Sequence, residues 1–217
     1  IQNGAFSSSV GLFDGNTPLN QKGTGSQRLL SMGLNIQVSA GSALLLIDEV
    51  ESGLEPYRLR SLINEFRITH TVTGQVIMTT HSPIAVAECS IGELLVVQSK
   101  DGKTDVFQLK SDDPEVNATI QAQVRKNAEA FLCKRLIICE GKTEIGFIRA
   151  LDTYLAKTKN YRMAFKGVGT ADGGGSTIFT CAEVLRSCGY EVCLFMDSDL
   201  PEEDEQKLDL IYYKHCS

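Results

Sequence analysis

Acidic side chains that directly follow apolar runs are the residues of this chain with the clearest chemistry. In chain order they are Asp48 and Glu49, Glu140, and Asp197 and Asp199. A carboxylate at the end of a buried strand can hold Mg²⁺ against a phosphate, and a neighbouring carboxylate can polarise an attacking water. One isolated acid in such a place is commonly a solvated turn residue, but the repeated pattern favours a chemical role.

His81 is a further candidate because of its surroundings. It follows the apolar run Val76–Met78 and precedes Ser82 and Pro83. A lone histidine is more often a packing or surface residue than a catalytic one. Here the preceding run predicts a strand and the Ser-Pro pair predicts a turn. His81 is therefore expected at the carboxyl edge of a sheet, where open α/β folds bind ligands.

The elements that must position these residues follow from hydrophobic periodicity. Leu44–Ile47 is a continuous apolar run, which is typical of a strand buried on both faces of a parallel sheet. Leu59, Leu62, Ile63 and Phe66 recur at helical spacing and predict a helix with one buried face. The alternation of such strands and helices predicts an α/β fold with parallel sheets.

In the second half of the chain, parallel strands would bring Glu140, Asp197 and Asp199 to one sheet edge. Three carboxylates on one edge repel each other unless a cation binds, and ligation by oxygen alone suits Mg²⁺ or Mn²⁺. A solvated acidic rim is the alternative. The fully apolar run before each acid favours the metal site.

The segment Gly23–Gln27 leads into the apolar helix pattern Leu29–Leu34. A glycine-rich turn at the start of a helix presents free backbone N–H groups and the positive end of the helix dipole, and both favour phosphate binding. The signal is weak alone, because many helices begin with Gly and Ser as ordinary caps.

The middle of the chain is expected to connect two domains. Leu94–Gln98 and Thr104–Leu109 predict a β-hairpin that closes the first domain. Asp113 and Pro114 are typical helix-start residues, and a helix from there through Phe131 is expected to join the domains without chemistry of its own. The predicted divisions are residues 1–112 for the first domain, 113–133 for the linker and 134–217 for the second domain.

A glycine cluster lies within the second domain. Tyr161–Val168 is predicted as its second strand, and the glycines between residues 167 and 175 are predicted as a flexible turn. The cluster is not the dinucleotide-binding fingerprint, because Asp172 occupies the third glycine position.

Composition limits the remaining possibilities. The chain has 217 residues, of which 42% are hydrophobic, enough for one large domain or two modest ones. The net charge of -6 argues against a generally basic nucleic-acid-coating protein but allows a local basic groove. Seven cysteines without a C-x-x-C pair indicate buried thiols in a reducing cytoplasm. No apolar run is long enough to span a membrane, so no membrane partner is expected.

Four of these motifs, in order and spacing, resemble those of an ABC-type ATPase head. Gly23–Gln27 resembles the signature motif in a GTGSQ variant, Leu44–Asp48 the Walker B strand, Ser52–Pro56 the D-loop, and His81 the switch histidine. In that family the signature motif of one subunit closes over ATP held by another. The resemblance therefore implies association into at least a dimer. The implied ATP-binding residues are Thr24, Gly25, Ser26, Gln27, Asp48, Glu49 and His81.

One part of an ATPase of this type is missing from the sequence. Gly102–Thr104 and Gly141–Thr143 end like the phosphate-binding motif G-x-x-x-x-G-K-[ST], but both lack its first glycine. The Walker A half is therefore expected to precede Ile1, and this fragment alone is not expected to hydrolyse ATP.

The second half resembles the Toprim domain of topoisomerases, primases and some nucleases. Glu140 and Asp197-Ser198-Asp199 match its acidic hallmarks, and Glu144 matches the second acid of the E-x-x-x-E motif of overcoming-lysogenization-defect (OLD) nucleases. An ABC-type head followed by a Toprim domain is the architecture of that family, which includes the nuclease subunit of Gabija-type defence systems. The resemblance covers roughly residues 20–205.

What the resemblance implies is an ATP-regulated, metal-dependent DNA endonuclease in phage defence or DNA processing, with ATP and Mg²⁺ or Mn²⁺ as cofactors. The expected partners are DNA, further copies of the chain and a helicase-like protein. The implied catalytic residues are Glu49, His81, Glu140, Glu144, Asp197 and Asp199, and the implied metal ligands are the last four of these with Asp48. Lys207 and Lys214 do not match the family's downstream lysine by motif, so the Toprim half is expected to be truncated.

Two other functions remain open from the sequence. The first is a non-cleaving, ATP-driven DNA switch or clamp, against which the intact acidic set argues. The second is strand passage or primer synthesis by the Toprim half. Strand passage needs a nucleophilic tyrosine, and Tyr212 and Tyr213 lie in an acidic tail without a supporting motif.

Overall fold

The structure, a computed structural model, describes residues 11–38, 44–70 and 74–196. The chain divides into two compact units, Ile1–Ala85 and Val86–Ser217. Asp197 and Asp199 lie outside the described residues, as do Lys207, Lys214, Tyr212 and Tyr213.

The described part of the first unit contains a pair of parallel strands with a helix between them in sequence. Its elements are β1 (Phe13–Asp14), β2 (Thr17–Pro18), α1 (Thr24–Val38), β3 (Leu44–Ile47), α2 (Pro56–His70), β4 (Gln75–Met78) and the start of α3 (Pro83–Glu88). β1 and β2 form a short antiparallel hairpin. β3 pairs with β4 in parallel, with Ile47 opposite Met78. This register brings the residues that follow both strands to one sheet edge.

The core of the first unit lies on one face of β3 and β4. The buried side chains there come from α1, β3 and α2 and include Met32, Ile47, Leu59, Ile63 and Phe66. Leu44 and Leu46 are 55% and 67% exposed. The prediction that Leu44–Ile47 is buried on both faces is therefore wrong for the described chain. Side chains alternate along a strand, and the core residues contact only the face that carries Leu45 and Ile47.

The second unit combines a hairpin, three helices and a parallel sheet. After the end of α3 its elements are β5 (Leu95–Lys100), β6 (Lys103–Gln108), α4 (Pro114–Lys126), β7 (Arg135–Cys139), α5 (Lys142–Lys159), β8 (Val168–Asp172), α6 (Ile178–Ser187) and β9 (Glu191–Phe195). β5 and β6 are antiparallel. Asp101 and Gly102 between them have φ of 51° and 77°, as a two-residue hairpin turn requires.

The hairpin packs with the second unit. Gln98 Nε2 donates to Cys188 O at 3.1 Å, and Leu109 is buried in the core that α4 and α6 also line. The sequence analysis assigns this hairpin to the first domain, whereas its contacts in the structure are with the second. The division into residues 1–112, 113–133 and 134–217 stays a prediction.

Helix α4 begins as its sequence predicts and has a larger role than a linker. Asp113 Oδ1 accepts a hydrogen bond from Glu115 N at 2.8 Å and caps the helix. The helix ends at Lys126 rather than Phe131. Ile120 and Val124 are buried in the second core. Since one face of α4 is part of this core, α4 belongs to the fold of the second unit.

The sheet of the second unit has the order β8-β7-β9, with all strands parallel. Leu136 and Ile138 of the central strand are 1% and 0% exposed. Cys139 lies opposite both Asp172 and Phe195, so the three strands end in register at one edge. The predicted convergence of Glu140 with Asp197 and Asp199 stays a prediction, because the two aspartates lie outside the described residues.

The second strand of this sheet lies later in the sequence than predicted. Met163–Lys166 form a short 3₁₀ turn, and β8 covers Val168–Asp172. Phe165 is 84% exposed, so the apolar residues before Gly167 do not mark a buried strand. Part of the cluster predicted as a turn is therefore the strand itself. Among the described residues, no helix is sufficiently long and apolar to cross a membrane.

Candidate functional site

Thr79 joins the ends of β3 and β4 in the first unit. Its hydroxyl donates to Asp48 Oδ1 at 2.6 Å and accepts from Glu49 N at 2.8 Å. Its carbonyl accepts from Val50 N at 3.0 Å. The turn that carries the two acids is therefore fixed to the neighbouring strand by one residue. Thr79 received no role from the sequence, because its partners are about thirty positions away.

Glu49 is held in a backbone conformation that non-glycine residues rarely adopt, with φ of 46°. Its Oε2 accepts a hydrogen bond from Ser52 Oγ at 3.0 Å, and the residue is exposed. Such local strain persists only where surrounding contacts fix it, and it is concentrated at functional sites. The geometry leaves the Glu49 carboxylate accessible to water beside Asp48.

Arg28 ties α1 to the same turn. Its Nη2 donates to the carbonyls of Asp48 at 2.6 Å and Glu49 at 2.7 Å. In the described part of the chain, its Nε is buried and has no hydrogen-bond partner. No role was predicted for Arg28 from the sequence. In the structure, the Arg28 side chain connects helix α1 to the backbone of Asp48 and Glu49.

The predicted signature residues lie beside Asp48 around an open cleft of about 700 Å³. Its polar lining is formed by Thr24, Gln27, Arg28, Ser31, Asp48 and Ser52. Gly25 is buried against the Gly53 carbonyl. Ser26 Oγ accepts from Arg58 Nη1 at 3.3 Å, and Gln27 Nε2 donates to Lys22 O at 2.8 Å. Thr24 and Gln27 are thus brought to the cleft, while Gly25 and Ser26 serve packing and bonding inside the unit.

Glu51 fixes the loop that carries His81. Its Oε1 accepts from His81 N at 2.6 Å and its Oε2 accepts from Thr80 Oγ1 at 2.7 Å. Partial burial raises the pKa of Glu51, but the hydrogen bonds from Thr80 and His81 outweigh it, so that pKa lies below its ordinary value. Sequence reasoning missed Glu51, which follows the acidic pair without standing at a strand end.

Glu140 occupies the carboxyl end of the central strand of the second unit. Its backbone N–H donates to Phe195 O at 3.1 Å, and its carbonyl accepts from Gly175 N at 3.1 Å. The residue is half-buried. Its backbone is therefore held on one side by the end of β9 and on the other by the glycine-rich loop after β8.

Glu144 lies one turn into α5 and points back toward the start of the helix. Its Oε2 accepts a hydrogen bond from Gly141 N at 2.9 Å. One carboxylate oxygen therefore caps α5 in this arrangement. Glu144 and Glu140 are brought to the same edge, because Gly141 directly follows Glu140 and begins the helix that carries Glu144.

The described donors suit a hard cation. Burial raises the pKa of the Cys139 thiol to about 11, and the carboxylates of Glu144 and Asp172 contribute to that shift. Cys139 is therefore a poor thiolate donor, and the remaining described donors at this edge are carboxylate oxygens, which Mg²⁺ and Mn²⁺ prefer. Within residues 11–38, 44–70 and 74–196, no group of three or more His, Cys, Asp or Glu could hold a metal.

Asp172 is the acid at this edge that the sequence analysis did not select. It ends β8, is 8% exposed, and lies 2.7 Å from Lys126 Nζ through its Oδ1. The second strand was predicted too early in the sequence, so Asp172 was not recognised as the last residue of that strand. The signal for this strand was weak, because the run Val168–Ala171 before the acid contains Gly169 and Ala171.

Comparison with protein-family models covers both units. Residues 10–87 match the family described as "AAA domain, putative AbiEii toxin, Type IV TA system". Residues 131–199 match the family described as "Overcoming lysogenization defect protein-like, TOPRIM domain". No curated protein matches the chain at a significant level.

The chain is thus an AAA-type ATPase region followed by a TOPRIM domain, with parallel sheets in both. The two matches, in this order, agree with the domain arrangement of OLD-family ATPase–TOPRIM proteins. The resemblance and the fold class inferred from the acidic motifs are both confirmed.

Proposed function

We propose that the protein is an ATP-regulated, divalent-metal-dependent DNA endonuclease of OLD type. The observation that carries the proposal is the placement of Glu140 at the carboxyl end of the central strand in an OLD-like TOPRIM domain. The ATPase match in the same chain supports control by a nucleotide.

In this proposal, Glu140 and Glu144 hold a divalent cation together with Asp197 and Asp199. A cation bound there supplies positive charge that polarises a phosphodiester and stabilises the leaving oxygen. The protein fixes Glu140 through its backbone bonds to Phe195 and Gly175. This fixed backbone supports the proposal, because a metal site on a rigid sheet edge needs ligands that are held in place before the metal binds.

The ATPase roles follow the geometry of the first unit. Asp48, oriented by Thr79, supports the Mg²⁺ of bound ATP, and Glu49 orients and deprotonates the attacking water. His81 contacts the γ-phosphate. The signature residues, Thr24 to Gln27, close over ATP held by a second copy of the chain. A homo-oligomer, DNA and a helicase-like partner in a cytoplasmic phage-defence or DNA-processing system complete the proposal.

Plasmid nicking by the intact protein with Mg²⁺ or Mn²⁺, with and without ATP, tests this function. We expect metal-dependent nicking that is lost in Glu140→Gln and Asp197→Ala. Glu183→Gln makes the same charge change on the exposed face of α6 and should retain activity. Adding Glu49→Gln, which should bind ATP without turnover, separates the effect of ATP binding from that of hydrolysis.

The alternative is an ATP-driven DNA switch or clamp that does not cleave. Two observations favour it: one oxygen of Glu144 is used as a helix cap, and Asp172 is neutralised by Lys126. Under this alternative the intact protein binds DNA in an ATP-dependent way but nicks no plasmid with either metal. Nicking that survives both Glu140→Gln and Asp197→Ala would contradict the TOPRIM assignment of the active site.

A further inference from the structure

The end of α4 holds the residue that terminates β8. Lys126 Nζ lies 2.7 Å from Asp172 Oδ1. Asn127 Oδ1 accepts from Asp172 N at 2.9 Å, and Asn127 Nδ2 donates to Asp172 O at 2.9 Å. Gln123 Nε2 donates to Gly173 O at 3.2 Å. We call Gln123, Lys126 and Asn127 the α4 clamp, since together they bind both the side chain and the backbone at this point.

The segment held by the clamp is the one that touches Glu140. Gly173 N donates to Cys139 O at 2.7 Å, and Gly175 N donates to Glu140 O at 3.1 Å. We call Gly173–Gly175 the glycine loop. The clamp and Glu140 therefore both bind the glycine loop, so a displacement of the loop reaches the backbone of Glu140 directly.

The ion pair is what keeps the loop in this position. Asp172 is 8% exposed, and its Oδ1 also accepts from Gly174 N at 3.0 Å. A Cβ at Gly174 would lie 3.5 Å from Lys126 Nζ, so the ammonium group lies directly against the loop. A buried carboxylate without its cation is strongly unfavourable, and the segment would shift to hydrate it.

We propose that the α4 clamp positions Glu140 for divalent-cation binding through Asp172 and the glycine loop. The inference rests on the proposed function, because it gives a role to residues around the same carboxylate. Lys126 and Asp172 are positioning residues in this scheme, and Asp172 is not a metal ligand. Groups that orient a ligand typically change metal affinity by about 10–100-fold when they are removed.

Manganese binding to the intact protein without nucleotide provides the test. Free Mn²⁺ is followed by its electron paramagnetic resonance signal, and Glu140→Gln defines the part of the binding that belongs to this site. We expect Lys126→Met to weaken that part by about tenfold or more. Lys126→Arg keeps a cation against Asp172 and should stay within about threefold of the wild type. Nicking against Mn²⁺ concentration should show the same shift, with kcat at saturating Mn²⁺ largely kept.

The matched control is the ion pair at the opposite edge of the same sheet. Arg135 Nε lies 2.6 Å from Glu191 Oε2, and both residues begin strands that end near Glu140. Arg135→Met removes a pair of similar length and should leave Mn²⁺ binding unchanged. Equal Mn²⁺ affinities in Lys126→Met and Arg135→Met would overturn the positioning role.

A second variant covers the case in which Lys126→Met does not fold. Gln123→Met removes the hydrogen bond to Gly173 O while leaving Asp172 paired with Lys126, and its thermal unfolding reports on integrity. We expect a smaller loss of Mn²⁺ affinity in the same direction, and wild-type affinity in a folded Gln123→Met protein contradicts the inference. If Glu140→Gln itself changes neither Mn²⁺ binding nor nicking, the proposed function fails rather than the clamp alone.

Discussion

At the residue scale, the contact between Gly25 and Gly53 shows how closely the signature-like turn is fitted to the acidic turn. A Cβ on Gly25 would collide with the Gly53 carbonyl. Gly53 itself has φ of 73°, a conformation that glycine adopts without strain. The two backbones touch without an intervening side chain, so a movement of the start of α1 is transmitted to the turn after β3.

Gly25→Ala should therefore destabilise the ATPase region by about 1–3 kcal/mol, the range for forcing a methyl group into a filled site. Gly33→Ala is the control on the same helix, because nothing lies within 4 Å of a Cβ at that position. It should be neutral or stabilising by up to about 1 kcal/mol, as alanine favours helices. Urea unfolding of both variants measures the difference, and equal stabilities would show that the close contact is absent.

The lowered pKa of Glu51 predicts that its contribution to stability, made through the loop that carries His81, depends on pH. Its pKa in the folded protein is lowered from 4.5, so its contribution to stability is complete above that value and is lost as pH falls through the folded-state pKa. The thermal unfolding midpoint of Glu51→Gln should therefore fall less than that of the wild type when the pH drops from about 6 to about 3. Parallel wild-type and Glu51→Gln curves would contradict the prediction.

The candidate residues could be predicted where the chemistry is local in sequence. Asp48, Glu49 and Glu140 directly follow apolar runs, and that pattern alone placed them at strand ends. Glu51 and Asp172 could not be selected in the same way, because their roles depend on His81 and Lys126, which reach them only after folding.

At the element scale, α4 owes its start to one side chain. Asp113 caps the helix through Glu115 N, and Pro114 occupies the first turn. Asp113→Ala should cost about 1 kcal/mol of unfolding free energy, the usual loss for an N-cap. Asp112→Ala, next to the cap on the exposed chain, should cost much less. Chemical denaturation that follows the second unit measures the unfolding free energy of both variants. Equal losses in the two variants would assign the effect to the removed charge rather than to capping.

Strands with long, branched side chains were predictable, and β8 was not. After a charged first residue, β7 and β9 are both continuous apolar runs, and this pattern predicts strands. β8 contains Gly169 and Ala171, which carry little hydrophobic signal. Gly169 is required because the Cys133 side chain packs against its backbone, and the two residues are far apart in the sequence. Packing, rather than local propensity, determines this strand, so a single sequence shows it poorly.

At the scale of the whole molecule, the described cysteines all lie in the second unit and show how it is packed. The described thiols are unpaired with one another. Burial raises the pKa of Cys139 to about 11 and that of Cys181 to about 12. Cys193 is exposed. The sequence-based interpretation of buried thiols therefore fits most of the described cysteines, with Cys193 as an exception.

Alkylation of the folded protein should follow this order. At about pH 8, iodoacetamide should modify Cys193 well before Cys139 and Cys181, whose thiolate fractions are on the order of a thousandth or less. Peptide mapping by mass spectrometry measures the rates, and labelling in concentrated urea gives the unprotected reference. Early modification of Cys181 in the folded state would show that the α6 core is open.

Two units in one chain were predictable from the change of motif, but the membership of single elements was not. The β5–β6 hairpin follows α3 in sequence, and local pattern does not indicate which core it joins. Its contact with Cys188 depends on a residue about ninety positions away. Such assignments require tertiary packing, and the same holds for α4, whose buried face is defined by α6.

The central place of β7 has a consequence for biosynthesis. β7 is the first strand of its sheet to be translated, yet both of its neighbours come later, and β9 comes last. The N–H of Glu140 finds its partner only when Phe195 has been made. Until then β7 can pair only with β8, and the sheet edge that carries Glu140 is incomplete. A ribosome-bound TOPRIM segment that stops short of β9 would therefore expose one side of its central strand until translation has passed Phe195.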